Sequence, residues 1–132
     1  MSISKSTKDR KSKSKSAIGD LFAFLRANKI LIKNSDEIEE YLSDKQDMIS
    51  LVKSICCSLL ERFQKINTPT QFSLEMYHDP EIDDSHPILY IRQSKYEDDV
   101  LDIADGVCAK YEKNLSSVKG WLLITTDFRP IE

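Results

Sequence analysis

Glycine is scarce in this 132-residue chain: it occurs only at Gly19, Gly106 and Gly120. No two of these are close enough to build a glycine-rich phosphate loop, which excludes P-loop and dinucleotide-fingerprint chemistry. No apolar run approaches the roughly 20 residues that a membrane span requires. Cysteine is limited to Cys56, Cys57 and Cys108. The odd count, the adjacent pair and the lack of any Cys-x-x-Cys spacing fit unpaired thiols in a reducing compartment. Cys56 falls on the apolar stripe of its segment, four residues from both Val52 and Leu60, and reads as a small core hydrophobe. No apolar region of 7–15 residues follows the charged N-terminus, so a secretory signal is not expected. The stretch is basic, serine-rich and acid-poor, as transit peptides are, but it lacks their arginine bias and amphipathic helix.

Charge is divided unevenly along the chain, and the formal net charge of −3 hides this. Residues 1–16 carry Lys5, Lys8, Arg10, Lys11, Lys13 and Lys15 against Asp9 alone, whereas residues 17–132 hold 13 basic and 21 acidic residues. A basic arm is joined to an acidic body. Only Met1 and Ile3 of the arm could join a core, so its composition predicts a disordered segment over 1–16. Such an arm serves as a solvated tail, folds back on the acidic body, or neutralises nucleic-acid phosphates through residues 5–15.

Residues 17–34 read as a short helix with a connector. Ile18, Leu21, Phe22 and Leu25 follow helical spacing, with Phe24 beside the stripe. These five residues form a sticky surface, which either packs on its own domain or binds a partner or a second copy. The link Lys29–Lys33 has strand character. Asn34 with Glu37, Ser43 with Gln46, and Ser94 with Glu97 have capping-box spacing. The main helix covers about 44–66, with Met48, Val52, Ile55, Leu59, Phe63 and Ile66 on a broad core-facing stripe. Residues 71–78 alternate strictly and read as a half-buried strand. Residues 88–92 form a second strand, residues 96–115 a helix, and residues 121–126 the last strand.

Residues 35–132 are therefore expected to form a single α+β domain, a two-layer sandwich of two main helices on a mixed sheet of three or four strands. The strands at 71–78 and 88–92 pair as an antiparallel hairpin, and 88–92 runs parallel to 121–126 across a helical crossover. With Lys29–Lys33 as a strand, the order becomes βαββαβ, which suggests a ferredoxin-like arrangement. Residues 88–91 and 121–124 are apolar on both faces, so the second face of the sheet should be covered. The candidates are the 17–28 helix or a symmetry mate.

Chemistry has few footholds. His78, Asp79, Glu81, Asp83 and His86 flank the hairpin and form a candidate metal cluster. Neither HExxH nor a calcium-loop pattern is present. A restriction-type nuclease would need an acid on one strand and an acid-x-Lys on the next. Glu75 supplies the first, but the second strand offers Tyr90-x-Arg92, so the mechanism fails at its centre. The carboxyl ends of the parallel strands bring Arg92 and Lys95 near Asp127 and Arg129, where open sheets often bind ligands. The competing reading is an ion pair closing the sheet, and no nucleophile with an adjacent base stands there. No cofactor is implied. Residues 79–105 hold nine acids against Arg92 and Lys95, a surface suited to a basic partner and repellent to phosphate.

The segments Glu75-Met76-Tyr77-His78-Asp79-Pro80-Glu81-Ile82-Asp83-Asp84, Leu89-Tyr90-Ile91-Arg92 and Trp121-Leu122-Leu123-Ile124-Thr125-Thr126-Asp127-Phe128 stand in order along the chain. Their pattern resembles a group of small uncharacterised prokaryotic proteins, cyanobacterial ones among them, over roughly residues 35–130. The resemblance implies a bacterial, cytoplasmic protein and carries no activity or functional residue with it. The acidic body, the sticky helix, the two-faced strands and the missing catalytic set lead to one expectation: a non-enzymatic interaction or regulatory protein, antitoxin-like or immunity-like, that forms a homo-oligomer or binds a protein partner and no membrane.

Overall fold

The alternation over 71–78 and the broad stripe over 48–66 set the two layers. The computed structural model describes residues 16–132. Residues 1–15, and with them nearly all of the expected basic arm and its nucleic-acid reading, lie outside the described residues. Helix α1 spans 16–27. It is followed by β1 (Leu31–Ile32), α2 (Ser35–Asp44), α3 (Asp47–Gln64), β2 (Thr70–His78), β3 (Ser85–Gln93), α4 (Val100–Lys110), α5 (Glu112–Ser117) and β4 (Leu123–Thr125). The molecule is a two-layer α+β sandwich with a four-stranded mixed sheet, as the pattern of residues predicts. Among the described residues no helix is long and apolar enough to cross a membrane.

In space the strands follow chain order, β1-β2-β3-β4. β1 is parallel to β2, β2 antiparallel to β3, and β3 parallel to β4. Each parallel pair is thus a direct neighbour, with no strand inserted between its members. The ferredoxin-like arrangement, which splits its βαβ units, is not this topology. The reason is that helices α2 and α3 carry the chain from β1 to the adjoining position in the sheet.

One sheet face bears the core. Phe72, Leu74, Leu89, Ile91 and Ile124 pack there against Val52, Ile55, Leu59 and Phe63 of α3 and Val100, Ala104 and Val107 of α4, all buried. Phe63 and Phe72 meet edge-on at 5.5 Å between ring centroids, a geometry that favours aromatic pairs. Helix α1 joins this same core. Ile18, Leu21, Phe22 and Leu25 are 2, 2, 7 and 0 % exposed, and Phe24 lies half-buried beneath the Lys53 ammonium of α3 at 5.1 Å. Of the two readings of this helix, packing on its own domain is what the fold adopts. Its apolar stripe is consumed internally and offers no free partner surface.

The expected helix over 96–115 is two helices. The chain turns at Tyr111 (φ −105°, ψ 11°), whose hydroxyl hydrogen-bonds the Ser58 hydroxyl at 2.8 Å and donates to the Ser54 carbonyl at 3.2 Å. None of the three capping boxes forms. Asn34 adopts the left-handed conformation and lends its Oδ1 to the Met76 N–H across the sheet edge. Helix α3 begins only at Asp47 and α4 only at Val100, both without a side-chain cap.

Candidate interaction face

Alternation along the strands decides what the other sheet face carries. The register pairs Gln71 with Arg92, Ser73 with Tyr90, Glu75 with Ile88, and Tyr77 with His86. It also sets Leu123 beside Ile88 and Thr125 beside Tyr90. Ile88 is 4 % exposed yet stands outside the main core cluster, which marks this as a separate face.

One end of this face is polar and closed. Arg92, 2 % exposed, donates from Nε to Asp127 Oδ1 at 3.1 Å, from Nη2 to Asp127 Oδ2 at 2.7 Å, and from Nη1 to Glu75 Oε2 at 3.1 Å. Ser73 donates to the same Glu75 oxygen at 2.8 Å, and the guanidinium lies over the Tyr90 ring at 4.9 Å. A cation so far from water needs this many acceptors to persist. The two carboxylates hold the Arg92 pKa above its ordinary value against the opposing effect of burial. Hydrogen bonding to Arg92 pulls the Asp127 carboxyl below its ordinary value. Burial, seconded by Glu75, pushes Tyr90 up.

The C-terminal segment 126–132 is laid across this end. The Asp127 side chain accepts from the Arg129 N–H, the Tyr96 hydroxyl donates to the Arg129 carbonyl, and Phe128 packs against Tyr96 with the rings tilted by 57° and their centroids 5.0 Å apart. The Glu132 N–H donates to the Gln71 side-chain Oε1 at 3.1 Å, Gln71 Nε2 donates to the Glu132 carbonyl at 3.4 Å, and the Glu132 carboxylate pairs with Lys33, just past β1. Helix α1, packed into the main core, does not cover this face. The chain's own tail covers one end of it.

The candidate ligand cluster at the carboxyl ends of the strands is thereby assigned. Arg92 and Asp127 form the ion pair that closes the sheet. Arg129 is exposed, its Nε 3.6 Å from Asp127. Lys95 is exposed and enters none of these ion pairs. Every guanidinium nitrogen of Arg92 already has a carboxylate partner.

The candidate metal cluster is dispersed. His78 hydrogen-bonds Ser85 through Nδ1 at 2.6 Å and Glu37 through Nε2. Asp79 Oδ1 accepts from the Glu81 and Ile82 N–H groups, an Asx turn that shapes the loop. His86 leans on Tyr77, with centroids 5.4 Å apart, and turns Nδ1 toward the Pro87 carbonyl. Among the described residues no three His, Cys, Asp or Glu side chains are grouped to hold a metal ion. The metal reading of His78, Asp79, Glu81, Asp83 and His86 is therefore replaced by a hydrogen-bonded turn.

The other end of the face is apolar and open. Tyr77, Trp121 and Leu123 are 39, 48 and 37 % exposed around Ile88. A cavity of about 350 Å³ runs beside them, between β4 and α4–α5, lined by Cys108, Leu115, Trp121, Leu122 and Leu123 among others. The apolar character of 121–124 was evident from the residues alone. That Tyr77 belongs to the same patch needed the strand register. Comparison with protein-family models, curated proteins and solved structures returns no match.

Proposed function

We propose that the protein is a small, non-enzymatic cytoplasmic interaction protein, an antitoxin-like or immunity-like partner, whose contact surface is the aromatic end of the uncovered sheet face. One observation supports this above others. Tyr77, Trp121 and Leu123 crowd one patch around Ile88 while the rest of that face is sealed by ion pairs and the tail. Exposed aromatic clusters with polar surroundings are typical of protein contact sites. Three groups that chemistry could use are engaged structurally: Arg92 in a closed network, His78 in hydrogen bonds, and the Cys56 thiol pushed up to about 12 by burial.

The test is association of the purified full chain, and of chain isolated with its co-purifying proteins. A Tyr77→Asp, Trp121→Asp double variant with an unchanged circular dichroism spectrum should lose self-association or its co-purifying partner. A wild type that is monomeric at high concentration, has no partner and is indistinguishable from that variant would refute the proposal.

A further inference from the structure

The cavity between β4 and α4–α5 is anchored on both of its sides. On the helical side the chain breaks at Tyr111, whose hydroxyl is tied to the Ser58 hydroxyl and the Ser54 carbonyl of α3. On the strand side the Trp121 N–H donates to the Tyr41 hydroxyl at 2.9 Å. Gly120, just before it, is pressed so closely on Met48 and Lys45 that a Cβ would collide with them. Neither wall is free to slide across and fill the gap, so the site is preformed. Its volume of about 350 Å³ falls within the range of small-molecule sites. An apolar cavity of about 150 Å³ already admits benzene, so this one has room for a ring with a short chain.

The lining says what kind of molecule fits. Leu115 and Leu122, both buried, and the more exposed Leu123 offer apolar surface. Among the described residues that line the cavity, Glu112 is the only charged one, and no lysine or arginine joins it. Glu112 enters none of the ion pairs among the described residues. Ser116, one turn further along α5, gives its hydroxyl proton to the Glu112 carbonyl at 2.7 Å, so toward a ligand it can only accept. An anionic ligand would meet a carboxylate and no counter-charge. A cationic one would meet Glu112 together with Trp121, the ring type that attracts cations most strongly. The acidic excess of residues 17–132, 21 acids against 13 bases, draws cations toward the whole body.

We propose that this cavity binds a small apolar amine, its ring or alkyl body against Leu115 and Leu122 and its ammonium group between Glu112 and Trp121. The proposal goes beyond the protein-contact reading and does not depend on it, because the cavity and its single counter-charge belong to one chain. Two features of the lining make the site self-reporting. Trp121 is the only tryptophan of the chain, so tryptophan fluorescence reads this site alone. Cys108 lies in the same lining, so a bound amine shields its thiol.

Titration of the full chain with phenethylamine, followed by tryptophan fluorescence, tests this, with hydrocinnamate as an anion of similar size and shape. The expected result is a saturable change with the amine and binding of the anion about tenfold weaker, the combined worth of an exposed ion pair and a cation–π contact. Glu112→Gln, a change at an exposed position, should cut that preference to about threefold or less, the share left to the ring. In a Cys57→Ser background, saturating phenethylamine should slow the alkylation of Cys108 by iodoacetamide, and hydrocinnamate at the same concentration should not. The absence of a saturable change, or equal binding of amine and anion by the wild type, overturns the proposal. So does a preference that survives Glu112→Gln in full, or alkylation of Cys108 at the same rate with and without saturating amine. Each of these results is obtained on the chain alone, so the protein-contact reading stands or falls separately by its own association test.

Discussion

Arg92 and Asp127 face each other through two parallel hydrogen bonds, 3.1 and 2.7 Å long, at the end of the sheet. The two partners differ in their access to water. Arg92 is 2 % exposed, whereas the Asp127 and Glu75 side chains are 20 and 19 % exposed. Losing the acid and losing the base are therefore unequal events. Asp127→Ala leaves a buried cation with one carboxylate and should cost about 2–4 kcal/mol. Arg92→Met leaves two carboxylates that can reach solvent and should cost less. Urea denaturation of both variants checks the order.

The same pair sets an acid limb. Arg92 holds the folded-state pKa of Asp127 below its unfolded value. The stability this contributes is fully present above about pH 4, the unfolded carboxyl range, and is lost as pH falls through the depressed folded value. In urea titrations from pH 7 downward, the gap between wild type and Asp127→Asn should stay constant to about pH 4 and then narrow. A gap that persists unchanged at pH 2 would contradict this assignment.

Two glycines should respond oppositely to alanine. A Cβ at Gly120 would lie 2.8 Å from Met48 Cγ and 2.9 Å from Lys45 Cδ. Lys45 can move aside, but Met48 is fully buried, so Gly120→Ala should destabilise by about 1–3 kcal/mol through overpacking. A Cβ at Gly19 meets nothing within 4 Å, and the residue is inside α1. Gly19→Ala should stabilise by about 0.5–1 kcal/mol. Thermal melts of both variants give the signs.

The three thiols should react in order of access. Cys57 is exposed, Cys108 intermediate and Cys56 buried. Burial raises the Cys108 pKa, and more strongly that of Cys56, to about 12. Because thiolate is the reactive form, a thiol reagent at pH 8 should modify Cys57 first, Cys108 more slowly, and Cys56 only on unfolding. Mass spectrometry of timed samples resolves the three.

The layers were legible because they are written in local periodicity. The stripe of α3 and the alternation of β2 need no distant residue to be read. The hairpin and the parallel pair β3–β4 followed from connection rules, and the approach of Asp127 to Arg92 followed from that pairing. What local pattern could not supply was register. Only register places Glu75 and Ser73 beside Arg92, and Tyr77 beside Ile88. The capping boxes failed for a related reason. Spacing alone cannot tell that Asn34 is better used against the Met76 N–H than at the end of α2. The break at Tyr111 is equally non-local, since its hydroxyl partners lie on α3, more than fifty residues earlier.

The order of strands in the sheet has a consequence for how the protein is made. Each strand adds beside the one synthesised just before it, so the sheet can grow in step with the ribosome and never waits for a later segment to fill a gap. Residues 127–132 then tie the sheet: Asp127 reaches Arg92 on β3, and Glu132 reaches Gln71 on β2 and Lys33 beside β1. A nascent chain cut short before Asp127 would carry all four strands and a buried guanidinium with half its counter-charge missing. The arrival of Asp127 would thus register in the growing chain as an electrostatic event.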